Sequence, residues 1–185
     1  MEKIISGEAR VLLHICCAPD ATAAVERLRP ECEVVGFFFN PNIFPEAEYK
    51  LRRDEAEKVA RVMDFPLIIP PYEPEKWETV VRGLEREPEK GYRCQICFLF
   101  NLRATAREAR IRNIGCFTTT LTISPHKVSS QVFDAGRQAA EEIGGRFLEI
   151  DFKKRGGFKR SLEISRELSL YRQKYCGCRY SMRKT

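Results

Sequence analysis

The chain lacks any apolar run approaching the roughly 18 residues that would cross a bilayer. Its opening string, MEKIISGEARVLLHICC, also lacks the order of a secretory leader, because acids and bases precede a short, strand-like apolar stretch. Both absences predict a cytoplasmic protein. Cysteine is too scarce for a small secreted disulfide scaffold, at 8 in 185 residues. In a reducing compartment such a count points to metal or redox chemistry, with the disulfide-rich proteins of hyperthermophiles as the open alternative. Repeats, low-complexity segments and linkers are missing too, so residues 1–185 read as one domain with a substantial core. Acids are in deficit, 26 against 32 lysines and arginines, for a net charge of +6. The basic bias sharpens from about residue 153, in KKRGGFKRS and RQKYCGCRYSMRKT, and fits a phosphate-bearing partner such as a nucleic acid. The plainer alternative is a solvated basic tail.

Strand-like and helix-like segments alternate. RVLLHIC (10–16), EVVGFFF (33–39), PLII (66–69), NIGCFTTT (113–120) and RFLEID (146–151) have β character. Between them PDATAAVERLR, EAEYKLRRDEAEKVARVM, a stretch from Cys94 to Arg110, and HKVSSQVFDAGRQAAEEIG have helical character. In the second of these, Tyr49, Arg52, Ala56, Val59, Ala60 and Met63 fall on one stripe. The alternation predicts an α/β fold, a parallel sheet with helices on both faces. Such sheets bind ligands at the carboxyl ends of their strands.

Cys16 and Cys17 close the first strand, where extended backbone would point them to opposite faces. Pro19 suits the first turn of a helix, so the pair is expected on a strand-to-helix bend whose helix terminus would favour thiolates. Cys94 and Cys97 have C-x-x-C spacing on an opening helical turn, which turns both sulfurs the same way. Together these are four thiols, enough for a [4Fe–4S] cluster or for zinc. Adjacent ligands strain a single-metal tetrahedron but can bind separate irons, which favours iron. Cys32 and Cys116 have no cysteine at ligand spacing and read as packing residues.

Cys176 and Cys178 flank Gly177. A disulfide between them would close a small, strained ring of the labile, redox-active kind, and Gly177 supplies backbone freedom. Arg172, Lys174 and Arg179 are expected to lower the thiol pKa values; metal ligation and an inert tail are the alternatives. Asp20 could ligate a second, harder metal ion or simply complement a helix dipole. His14, inside the first strand, reads as a satisfied core histidine. TTTLTISPHK (118–127) is a substrate-loop or helix-cap segment, with a helix expected to start at Ser124-Pro125.

The strings LLHICCAPD, GYRCQICF, FTTTLTISPHK and FKKRGGFKRSLEISRELSLYRQKYCGC resemble one family over nearly the whole chain, the cobalamin-independent epoxyqueuosine reductases called QueH. The resemblance implies reduction of the epoxide of epoxyqueuosine in tRNA to an alkene, with loss of water, as the last step of queuosine biosynthesis. It implies a [4Fe–4S] cluster on Cys16, Cys17, Cys94 and Cys97, a further iron near it with Asp20 as candidate ligand, and Cys176 with Cys178 as a redox-active pair. The fold it implies is the sandwich of the PP-loop, nucleotide α-hydrolase (HUP-like) type. CCAPD has no glycine where ATP-using relatives carry a phosphate loop, which disfavours ATP. Lys153, Lys154, Arg155, Lys159 and Arg160 would meet tRNA phosphates, and Phe158, Tyr171 or Tyr175 would stack on a base or pack the last helix. The rival readings are an ATP-dependent tRNA sulfur-transfer enzyme of the same fold and a non-catalytic, zinc-stabilised RNA-binding domain.

Overall fold

A computed structural model of the chain describes residues 10–182. Five strands form one sheet: β1 (Arg10–His14), β2 (Glu33–Phe37), β3 (Leu67–Ile68), β4 (Cys116–Thr119) and β5 (Arg146–Phe147). All neighbours run parallel, in the order β3-β2-β1-β4-β5. The central strand is buried on both faces, as a parallel sheet requires. Val11, Leu13 and Ile15 face one layer and Leu12 the other. Leu12 and Leu13 are wholly buried, so truncating either to alanine should cost about 2–5 kcal/mol.

The first layer holds α1 (Ala18–Leu28), α2 (Glu46–Val62) and α6 (Gly157–Glu167), with α1 packed on α6. The second holds α4 (Tyr92–Ile111) packed on α5 (Ser129–Ile143), and a short α3 (Pro74–Val80) lies against α4. The expected stripe of α2 is buried from Tyr49 to Ala60 and includes the charged Arg52. The chain winds from β1 out to β3, then returns past β1 to β4. β1 and β4 are therefore the switch point, where a crevice opens beyond the carboxyl ends.

Three expectations change. The helix expected at Ser124-Pro125 starts instead at Ser129, after a 3₁₀ turn over Thr120–Ile123 and a loop through Lys127. The loop is pinned from two sides: Lys153 Nζ donates to the Lys127 carbonyl, and Ser129 Oγ donates to Asp151 Oδ2. Two helices, α3 and α6, occupy stretches that the periodicity does not delimit. Finally, β3 and β5 shrink to two residues each. The glycines of KKRGGFKRS start α6: Gly156 has φ +78°, and a Cβ on Gly157 would collide with the Phe152 carbonyl.

Candidate redox and metal site

β1 ends at His14 and α1 begins at Ala18, so Cys16 and Cys17 sit on the bend, with Cys17 as the extended N-cap residue. Asn40 Nδ2 donates to the Ile15 carbonyl and the Cys16 amide donates to Thr120 Oγ1, fixing the bend between β2 and β4. Thr120 Oγ1 lies 3.2 Å from Cys16 Sγ, which is 3.6 Å from Asp20 Oδ2. Among the described residues, Cys16, Cys17 and Asp20 form the set whose ligand atoms lie within 4.8 Å of one another.

Cys17 stands at the N-terminus of α1, packed against Cys16 and Asp20. The hydrogen bond with Cys16, then burial, then the neighbouring Asp20 carboxylate push its pKa well above the ordinary value. Burial also raises the Asp20 carboxyl, against the hydrogen bonds it receives from Cys17 and Cys16.

Cys94 and Cys97 lie in the first two turns of α4. Neither belongs to the three-ligand set. Cys97 does line the same cavity as Cys16, and Cys94 packs in the same apolar cluster as Cys16. Cys94 Sγ accepts from the Lys90 amide at 3.3 Å. Burial drives the Cys97 thiol far up. Trp77, 2% exposed on α3, packs beside Cys97 and Cys178, and the hydrogen bond of its indole N–H to Cys97 works against that rise.

The Cys-Gly-Cys segment crosses the mouth of the crevice as two free thiols. Gly177 has φ +135°, and a Cβ there would stand 3.1 Å from Arg52 Nη1. The place of Arg52, only 2% exposed, in the stripe of α2 is explained by its partners. It donates to the carbonyls of Cys176 (3.0 Å) and Tyr175 (3.2 Å) while pairing with Glu48 at 2.7 Å. The Phe44 amide donates to the Gly177 carbonyl, and Tyr171 OH donates to Glu48. Tyr175 OH donates to the Phe44 carbonyl, with its ring under the Arg52 guanidinium. Tyr171 and Tyr175 thus anchor the tail, while Phe158 reaches the cavity.

The cation on Cys176 lies outside the set expected from the sequence. Lys127 Nζ donates to Cys176 Sγ at 3.0 Å, with the Phe98 ring 5.4 Å away. Burial opposes its charge, but Cys176, and more distantly Cys16 and Cys97, outweigh burial and hold the ammonium pKa above its ordinary value. Arg179 instead pairs with Glu78 and stacks on Phe44; Arg172 and Lys174 line the cavity. The sequence does carry one signal for Lys127: it closes TTTLTISPHK, at the carboxyl edge of β4.

His14 is the satisfied core histidine anticipated. Nδ1 contacts Thr119 Oγ1 at 2.9 Å and Nε2 the Phe39 carbonyl at 3.1 Å, and burial lowers its pKa to about 4. The cavity formed by these elements has a volume of about 260 Å³ and is lined by Cys16, Asp20, Cys97, Lys127 and Cys176. Its polar wall includes Asn42, bonded to Asn101 Nδ2 at 3.2 Å.

The family model for epoxyqueuosine reductase QueH matches residues 11–184. The chain belongs to the QueH family. Its relatives include epoxyqueuosine reductase QueH of Thermotoga maritima, 38% identical over 93% of this chain and 90% of the relative. QueH of Streptococcus pyogenes serotype M1 is 37% identical over 92% and 69%, and that of Acinetobacter baylyi 36% over 99% and 85%. As a QueH member the chain is an oxidoreductase. A crystal structure described as the predicted subunit of a tRNA methyltransferase from Methanocaldococcus jannaschii superposes with a TM-score of 0.53 at 13% identity, over 85% of this chain and 75% of that one. That likeness supports the α/β fold. Among the described residues no helix is long and apolar enough to cross a membrane.

Proposed function

We propose that this QueH chain reduces epoxyqueuosine in tRNA to queuosine at the cavity lined by Cys16, Cys97 and Cys176, using Cys176 and Cys178 as the immediate source of electrons. The observation that carries this reading is the convergence of three distant segments, after β1, on α4 and in the tail, on one crevice. The reaction balances on the dithiol. Opening the epoxide to an alkene and water consumes two electrons and two protons, and joining two thiols in a disulfide releases two of each. An external thiol or dithiol reductant then restores the pair.

The donor set suits a metal group: two thiols and a carboxyl lie together, the Cys17 thiol and the Asp20 carboxyl both raised in pKa, and the half-buried Lys127 lines the same cavity as Cys16 and Asp20. Cys16, Cys17, Cys94 and Cys97 would hold a [4Fe–4S] cluster, and Asp20 would reach a second iron. Such iron supplies single-electron relay and Lewis-acid affinity for oxygen. The chain's own residues do the rest. Arg52 and Gly177 hold the dithiol over the crevice, Thr120 and Asn40 fix the cysteine bend, and Phe98, Leu121 and Phe158 line the apolar part of the cavity.

The rim fits tRNA. Lys154, Arg155 and Lys159 are exposed where α6 begins, beside Phe158 at the cavity, and Arg172 and Lys174 flank its mouth. Phosphate contacts there would position the anticodon arm. Arg160 contributes less than the sequence suggests, because it pairs with Glu26 at 2.9 Å.

The deciding experiment combines anaerobic purification, iron and sulfide analysis, and mass spectrometry of nucleosides from tRNA incubated with the protein. Conversion to queuosine with iron bound is expected. Cys176→Ser and Cys178→Ser should keep the iron and lose turnover. If either variant turned over repeatedly at the wild-type rate, the dithiol would not be the electron source.

A further inference from the structure

Lysine is rarely buried without a purpose, because its ammonium is costly away from water unless an anion or hydrogen-bond acceptor compensates it. Lys127 is half-buried, and its ammonium donates to a sulfur, Cys176 Sγ at 3.0 Å, while an aromatic face covers it 5.4 Å away. Asp20, the carboxyl nearest the cysteine bend, feels the charge of Lys127 but bonds to Cys16 and Cys17. The main chain of Lys127 is fixed as well, through the Lys153 ammonium on its carbonyl. The side chain thus projects from a pinned loop, past Phe98, to the sulfur at the cavity wall.

Resting on the dithiol reading above, we infer that Lys127 is a further catalytic residue: it stabilises Cys176 as a thiolate and donates a proton to the oxygen leaving the epoxide. The coupling follows from charge. As Cys176 Sγ bonds to Cys178 Sγ, the thiolate's electron pair is consumed and the negative charge beside the ammonium disappears. The oxygen freed from carbon gains negative charge in the same cavity. Lys127 then faces a vanished anion on one side and a new one on the other, and its proton moves to oxygen. The second proton of the departing water comes from the Cys178 thiol. Two electrons leave sulfur, two protons reach oxygen, and Lys127 ends neutral beside a disulfide. Reduction of the disulfide by the external thiol returns the thiolate, and Lys127 recovers its proton from solvent.

Lysine and arginine separate the two roles. A guanidinium keeps the charge that stabilises a thiolate but does not release a proton at ordinary pH. The iron-loaded wild type, Lys127→Arg and Lys127→Met are compared under anaerobic conditions at about pH 7.5, where a free thiol is mostly neutral. Capture of Cys176 by iodoacetamide is followed by peptide mass spectrometry. A single turnover of epoxyqueuosine-containing tRNA is followed by nucleoside mass spectrometry. In Lys127→Met, capture of Cys176 should fall about tenfold or more. In Lys127→Arg it should stay within about threefold of wild type, while the single turnover falls about a hundredfold. Equal capture in Lys127→Met and wild type overturns the ion pair. Wild-type turnover in Lys127→Arg overturns the proton transfer. Should Lys127→Met fail to fold, Lys127→Arg still decides the second point, and much slower capture of Cys176 in Lys127→Arg than in wild type would count against the first. A wild type that captures label at Cys176 yet converts no substrate refutes the functional reading and the proton transfer, and leaves the ion pair standing on the capture data.

Discussion

The two ends of the sheet carry the same residue type to opposite fates. At the amino end, Cys116 opens β4 wholly buried, its thiol on the Arg10 carbonyl, and Cys32 sits just before β2 with its thiol on the Leu28 carbonyl. Each thiol there has a main-chain acceptor. At the carboxyl end, Cys16, Cys97 and Cys176 open on a cavity with Asp20 and Lys127. The difference lies in the backbone. Within a parallel ladder every carbonyl and amide is engaged and side chains pack on the covering helices, whereas beyond the last rung the chain bends and side chains from several segments converge. A cysteine's chemistry here follows from its end of the strand.

Exchanging one thiol at each end breaks or sharpens that comparison most strongly. Cys97→Ser or Cys16→Ser should lower bound iron and reduce nucleoside conversion by about a hundredfold or more. Cys116→Ser should keep both, at a stability cost on the order of 1 kcal/mol in urea denaturation. Loss of iron in Cys116→Ser with the fold intact would erase the distinction.

Arg52 tests the next level, since it joins the helical layer to the carboxyl-end tail. Arg52→Met removes both bonds to the Tyr175 and Cys176 carbonyls and leaves Glu48 in a largely buried setting without its cation. The expected drop in stability is about 3 kcal/mol. Arg52→Lys should recover part of the stability and little of the turnover, because one ammonium does not span two carbonyls and a carboxylate as a planar fork does. Conversion of tRNA nucleosides and thermal unfolding of both variants give the measurement. A lysine variant with full turnover would show that the tail needs only charge at this point.

The alternation of periodicities is enough to place five strands, the helices α1, α2, α4 and α5, and the cysteine bend at the carboxyl end. α6 escapes because its start rests on Gly156 at positive φ and on the bare Cα of Gly157 against a carbonyl, which read in sequence as a basic loop. Arg52 is visible as a member of the apolar stripe, but its reason for being there lies 124 residues away, in the Cys176 carbonyl. Lys127 stands in a segment notable for its position at the strand's end, yet its partner is again in the tail, and sequence spacing carries no information about pairing over that range. Of the expected cations, Arg172 and Lys174 share the cavity wall with Cys176 and Arg179 turns to Glu78, while the cation that bonds to the Cys176 sulfur comes from the loop after β4.

On the surface, the rim should respond to salt. Lys154→Gln with Lys159→Gln is expected to weaken tRNA binding several-fold, and to lower the slope of log K against log salt by about 0.7–0.9 for each phosphate left without its lysine. Arg160→Gln should change the slope less, since its guanidinium is engaged by Glu26, Glu163 and Glu167. Filter binding at several salt concentrations measures both; equal slopes for the two variants would mean that Arg160 leaves Glu26 for phosphate.

The smallest effect belongs to Cys32, at the quiet end. Burial, with Cys116 and Glu31 nearby, pushes its thiol from an ordinary 9.0 up to about 11. The fold therefore favours the neutral thiol: that preference is fully present below about pH 9 and is lost as the pH rises through about 11. Between those values the unfolded chain releases a proton that the folded chain retains, so stability falls with rising pH. Cys32 is half-buried, and solvent keeps the effect small. Thermal unfolding of the wild type should decline across this window by about 1–2 °C more than that of Cys32→Ala. At about pH 9, iodoacetamide should label Cys32 more slowly than a free cysteine does. Labelling at the free rate would mean that the amino end does not shelter its thiols, and that the contrast between the two ends rests on geometry alone.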